Sequence, residues 1–241
     1  MSINTSFNYS PNFDEKKRNK KYIKYILFHY TGMKSENSAI NRLTKIQSEV
    51  SSHYLIKNNG KIISLVPDSY TAWHAGASSW KKIKGLNKYS IGIEISNPGH
   101  KHGYKNFSKK QISSVLKLSK FLIKKYKIKS QNILGHSDIS PYRKKDPGEK
   151  FPWRLLSKKK IGYWHNINKD ILLKKRGLKT NDEEKKMFFN NLVKIGYSKN
   201  NNRYLRIITS TFQRRFRQKI IDGKVDQECL IISKNLAKKH N

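Results

Sequence analysis

Residues 22–30 read YIKYILFHY. The run is dense in β-branched and aromatic residues, which predicts a buried strand ending at His29, and Thr31-Gly32 then breaks it. Residues 89–96, YSIGIEIS, predict a second apolar strand carrying one acid, Glu94. Residues 132–135 predict a short strand that delivers His136. Between these runs, Ala39, Ile40, Leu43 and Ile46 recur at helical spacing, which predicts a helix over 38–49 capped by Asn37 or Ser38. Residues 53–57 and 61–66 flank Asn58-Asn59-Gly60 and predict a β-hairpin. Residues 108–126 predict a long amphipathic helix opened by a Ser108–Gln111 capping box. Residues 138–153 carry three prolines and predict an ordered loop. Strands alternating with helices imply an α/β domain, a mixed β-sheet flanked by helices.

Composition limits the partners. The 241 residues hold 52 Lys plus Arg against 16 Asp plus Glu, a net charge of +36. The excess is +20 over residues 1–153 (29 basic, 9 acidic) and +16 over 154–241 (23 basic, 7 acidic). Charge spread this evenly lacks the clustering of a nucleic-acid-binding element, so no nucleic-acid partner is expected. A cationic chain is nonetheless drawn toward anionic polymers. With 36% hydrophobic and 11% aromatic residues the chain can build cores. The mean hydropathy of −0.80, with no apolar run near the ~18 residues a spanning helix needs, predicts no transmembrane segment. Cys229 is the single cysteine, which excludes a disulfide framework and a Cys-rich metal site. Residues 1–21 lack the apolar core of an export signal, so a cytoplasmic location is expected, with the cell envelope as the alternative.

An ionisable side chain at the end of a buried strand is costly unless it has a partner. His29, Glu94 and His136 all stand at such ends. Asp146 follows His136 by ten residues, in a loop braced by proline and glycine that can fold back over the same sheet edge. Two imidazoles and one carboxylate leave a fourth tetrahedral position open, as in catalytic metal sites.

FHYTG (28–32), SSHYLI (51–56), AWHAG (72–76), IGIEI (91–95) and GHSDISPYRKKDPG (135–148) resemble the zinc-dependent N-acetylmuramoyl-L-alanine amidases of the type 2 amidase family. The likeness is to its AmpD- and AmiD-like group, whose fold is shared with peptidoglycan-recognition proteins. It covers residues 10–156, and SPNFDE (10–15) together with the two-part layout is closest to the AmiD branch. The resemblance implies one Zn2+ per chain held by His29, His136 and Asp146. It implies Glu94 as the acid that activates the water and Lys144 as the cation that steadies the oxyanion. His74 and Trp73 are expected in the substrate groove. His53 is expected to be a packed strand residue, Asp138 a structural loop residue, and His100 solvated.

FFNNLVKIGY (188–197) and ITSTFQRRFRQKIIDGKVDQE (208–228) resemble the three-helix peptidoglycan-binding domain found behind amidases, with Thr211 where alanine is common. The helices fall at 181–195, 205–216 and 226–237. The expected organisation is a catalytic domain over 10–156, a linker over 157–180 and the three-helix domain over 181–241. The function implied is hydrolysis of the amide between N-acetylmuramic acid, ordinary or 1,6-anhydro, and L-alanine of the stem peptide, in recycling or remodelling of the wall. Peptidoglycan or muropeptides are the expected partners, and a monomer is expected. Two alternatives stand beside this: a non-catalytic peptidoglycan-recognition protein on the same fold, and a basic nucleic-acid-binding protein.

Overall fold

Strand side chains alternate between faces, and 90–95 show what that does here. Ile91, Ile93 and Ile95 are buried together with Val115, Leu118 and Leu122 of the long helix. Ser90, Gly92 and Glu94 therefore lie on the opposite face. The neighbouring strand Tyr25–Tyr30 divides in the same way: Ile26 and Phe28 join the helix-side core, whereas Tyr25 and Leu27 join a second core on the other side. His29 shares that second face.

The computed structural model describes residues 3–199 and 204–240. In chain order its strands are β1 (Ser6–Phe7), β2 (Phe13–Asp14), β3 (Tyr25–Tyr30), β4 (Tyr54–Ile56), β5 (Ile62–Ser64), β6 (Thr71–Ala72), β7 (Ser79–Trp80), β8 (Ile83–Lys84), β9 (Ser90–Ile95) and β10 (Ile133–Gly135). Its helices are α1 (Glu36–Thr44), α2 (Lys109–Tyr126), α3 (His136–Ile139), α4 (Trp153–Lys158), α5 (Lys169–Lys175), α6 (Asp182–Ile195), α7 (Leu205–Phe216) and α8 (Gln227–Ala237). The main sheet runs β1-β5-β4-β9-β3-β10. It is mixed: β3, β9 and β10 are parallel, β4 runs parallel to β9, and β4 and β5 form the antiparallel hairpin.

Local chemistry sets the helix ends. Ser108 accepts the Gln111 amide while the Gln111 side chain accepts the Ser108 amide, the reciprocal cap expected for α2. Asn181 and Glu184 do the same for α6, and Asp226 caps α8. The helix α1 begins earlier than its apolar spacing suggests, because Ser35 rather than Asn37 or Ser38 accepts the Ser38 amide. The loop expected over 138–153 contains helix at both ends, α3 and the start of α4.

The C-terminal helices are not set apart from the sheet. Tyr25, Leu27, Leu134, Ile139 and Trp80 share one core with Phe188, Leu192, Ile195, Ile208, Phe212 and Phe216. The three helices stand where the sequence puts them, with 200–203 and 241 outside the described residues. The stretch expected as a linker carries α5, whose Leu172 belongs to the same core.

Candidate active site

Parallel pairing assembles the site. In the β3–β9 register His29 stands opposite Glu94, so the two residues sit side by side on one face. In the β10–β3 register Gly135 stands opposite Phe28, which places His136 beside His29. All three thus emerge at the carboxyl ends of parallel strands, where open α/β sheets place their ligand crevices. Asp146 returns over the same edge, and its carbonyl accepts the Ser137 amide. Gly135 makes this return possible: a Cβ there would stand 2.6 Å from Pro147 Cδ.

His29 Nδ1, His136 Nδ1 and Asp146 Oδ2 meet at 2.9, 3.2 and 3.1 Å from one another, and all three residues are buried. The other nitrogen of each histidine is occupied elsewhere. His136 Nε2 donates to the Ala75 carbonyl at 3.1 Å, and His29 Nε2 lies 3.2 Å from His74 Nδ1. A neutral imidazole has one N–H, so His136 Nδ1 presents a bare lone pair to the cluster. Lone pairs and a carboxylate crowded together repel unless a cation lies among them. A four-coordinate ion with bonds near ~2.0 Å spaces its ligands about 3.3 Å apart, close to what is seen. The set fits a metal ion, and His136 and Asp146 line the adjoining cleft.

The cleft holds about 470 Å³ and is lined by Tyr30, His74, Glu94, Lys144 and Lys145 among others. Glu94 Oε2 is buried and takes no hydrogen bond from the described residues. Burial first, and then the nearby Asp146, push the Glu94 carboxyl up to about 8, with Lys144 pulling the other way. A carboxyl with that affinity for protons is suited to accept and return one near neutral pH. Of the adjacent lysines, Lys144 is half-buried and its charge acts on both Glu94 and His29, whereas Lys145 is exposed.

The other expected residues fall in different places. His74 reaches the cleft, but only 5% of it is exposed and its ring nitrogens face His29 and Ser90. Trp73 does not line the cleft; its indole N–H donates to Asp14 at 2.7 Å. His53 is fully buried, accepting the Gly92 amide on Nδ1. Asp138 is structural, but in α3 rather than in a loop, accepting the Gly135 amide, the Tyr197 hydroxyl and Arg215. His100 is not free in solvent: it bridges Tyr30 Oη at 2.9 Å and Glu149 at 3.1 Å and stacks on Tyr104. No local pattern marks that triad, because its members come from three separate segments.

The buried histidines carry a pH signature. Burial, then the neighbouring His136, lowers His29 to about 4. Burial, then Arg18, lowers His53 to about 3, and burial holds His74 well below its usual range. Each takes up a proton when unfolded, below ~6.5, but not when folded. Their contribution is therefore complete above ~6.5 and is lost toward pH ~4, by up to about 1.4 kcal/mol per pH unit for each group. Three such groups outweigh the opposite trend of Glu94. The urea midpoint of the metal-free protein is expected to fall steeply between pH 6.5 and 4; a flat midpoint across that window contradicts this.

A mixed α/β sheet with this cleft and three residues that could hold a metal ion at its strand ends is a frame that more than one protein family shares. The comparisons with known proteins say which. Residues 18–149 match the family model Amidase_2, N-acetylmuramoyl-L-alanine amidase. The chain is 34% identical to the N-acetylmuramoyl-L-alanine amidase AmiD of Escherichia coli (strain K12), over 90% of this chain and 83% of that protein. The chain belongs to the N-acetylmuramoyl-L-alanine amidase family and is an enzyme. The structure of AmiD from E. coli in complex with anhydro-N-acetylmuramic acid-L-Ala-D-gamma-Glu-L-Lys superposes with a TM-score of 0.80 at 33% identity, covering 94% of this chain and 92% of that one. AmpDh3 from Pseudomonas aeruginosa in complex with anhydromuramic pentapeptide gives 0.79 at 27% identity, covering 94% of each. Among the described residues no helix is long and apolar enough to cross a membrane.

Proposed function

We propose that the chain hydrolyses the amide between N-acetylmuramic acid, in its ordinary or 1,6-anhydro form, and the L-alanine of the stem peptide, in recycling or remodelling of the wall. The observation that carries the reading is the convergence of His29, His136 and Asp146, with ligand atoms within 4.8 Å of one another, beside the buried Glu94 Oε2, which takes no hydrogen bond from the described residues. We assign the three as ligands of one Zn2+. Bound there, zinc supplies Lewis-acid polarisation of a carbonyl and brings the pKa of a water toward neutrality. Glu94 accepts the proton released by the attacking water and returns it to the leaving amine nitrogen of L-alanine. Lys144 opposes the charge that develops on the carbonyl oxygen. Arg42, Lys101, Lys144 and Lys145 line the same cleft and suit the free carboxylates of a stem peptide. The C-terminal helices add a surface for the polymer, in line with their resemblance to a wall-binding module.

Mass spectrometry of products from anhydro- and reduced-N-acetylmuramoyl peptides tests the reading. Free sugar and free peptide are expected, lost on treatment with a chelator and restored by stoichiometric zinc. Intact substrate with zinc present, or cleavage at another bond, overturns it.

A further inference from the structure

We infer that His74 is the positioning residue for ligand His29, seated on Gly92 and oriented by Ser90; the inference rests on the metal reading above. Glycine inside a central strand weakens it unless something must approach the backbone closely. Here that something is the His74 ring: a Cβ on Gly92 would stand 2.5 Å from His74 Cγ and 2.7 Å from its Cδ2 and Nδ1. The backbone of His74 is fixed as well, since the amides of His74 and Ala75 both donate to Asn87 Oδ1, at 3.1 and 2.7 Å.

Proton accounting sets the direction of the chain. The Ser90 hydroxyl spends its single hydrogen on the Leu86 carbonyl at 2.6 Å, so toward His74 its oxygen can only accept. His74 Nε2, 3.4 Å away, therefore carries the N–H, and in a neutral ring Nδ1 is left as an acceptor. His29 Nε2, 3.2 Å from that acceptor, must then be the donor. This leaves His29 Nδ1 with a bare lone pair facing His136 and Asp146. Rotating the His29 ring would break the bond, so one partner fixes both the tautomer and the orientation of the ligand. The role is the one the Ala75 carbonyl plays for His136.

The test uses the full chain and zinc itself. His74→Leu removes the acceptor, His74→Asn puts an amide oxygen near the Nδ1 position, and Gly92→Ala pushes the ring off its seat. Zinc affinity is read by chelator competition on protein shown to be folded by circular dichroism. Zinc is expected to bind about 10–100-fold more weakly to His74→Leu and Gly92→Ala, with His74→Asn restored toward wild type. Nitrogen-15 NMR of the zinc-loaded wild type is expected to show N–H on Nε2 of both His29 and His74. Unchanged affinity in folded His74→Leu, or a proton on His74 Nδ1, overturns the inference while leaving the metal site standing. If His74→Leu does not fold, the wild-type spectrum decides. A wild type that takes up no zinc overturns the metal reading and this inference together.

Discussion

Glu94→Gln is expected to keep its zinc and to lose about 10²–10⁴-fold in amide hydrolysis, the usual worth of a positioned proton carrier. Glutamine fills nearly the same volume and is not among the three converging ligands, so the metal has no reason to leave. It cannot accept a proton from water, and it has none to give the leaving amine. Zinc content and turnover measured on the same sample separate this from ligand loss. His29→Ala or Asp146→Ala should lose both together. The substitution should also show in stability. The Glu94 carboxyl holds its proton to about pH 8 when folded but only to ~4.5 when unfolded. The folded state therefore keeps this proton across that window, and the Glu94 contribution to the stability of the metal-free wild type declines as pH rises through it, against the opposite trend of the buried histidines below ~6.5. Glutamine removes that decline. Metal-free Glu94→Gln is expected to melt above the wild type at pH 8 and level with it near pH 4.5. Near-normal turnover, or equal melting at pH 8, contradicts the role or the environment assigned to this carboxyl.

The second large effect is expected at Arg215, on α7. Its guanidinium pairs with Asp138, donates to the Ile133 carbonyl at 2.9 Å and lies 4.2 Å from the ring centroid of Trp153. Both charged side chains are nearly inaccessible, at 3% and 1% exposure. Removing one partner of a buried pair strands the other charge, at a cost of about 3–5 kcal/mol. Arg215→Met is therefore expected to lower the urea midpoint by that equivalent, and Arg215→Met/Asp138→Leu to recover part of it. Asp138 lies two residues beyond His136 in α3, so the damage should reach the metal site as weaker zinc binding. Deleting residues 181–241 is expected to cost activity on soluble muropeptides as well as on intact wall, because it uncovers Tyr25, Leu27 and Leu134 beneath the ligand strands. Loss confined to intact wall would show instead that the helices act only as an anchor.

Much of the site could be read from the chain because it is built by strand ends. His29, Glu94 and His136 each terminate an apolar run, and parallel pairing aligns such ends. Capping signals were equally local, which is why α2, α6 and α8 begin where Ser108, Asn181 and Asp226 require. The alternation in SIGIEI held a further message: its even-numbered positions are Ser, Gly and Glu, small or polar side chains facing the site. What stayed hidden was tertiary. Trp73 is turned away by Asp14, and His100 is claimed by Tyr30 and Glu149; none of these three partners is near in sequence. The docking of the C-terminal helices was hidden for the same reason. Phe212 and Phe216 mark a core, but nothing local says that the other half of that core is the sheet.

The pair His29–His136 spans 107 residues of chain, and Arg215 reaches Asp138 across another 77. Contacts of such long range form late, because a long loop must close before they give anything back. On a ribosome, where the N-terminal part emerges first, β3 and β9 can pair long before β10 arrives. The histidine and aspartate ligands cannot meet until the chain has passed Asp146, and the loop that carries them is not braced until α7 is out. A nascent chain that has not yet released α7 therefore lacks the Arg215 brace on Asp138, and its ligand loop stands unsupported.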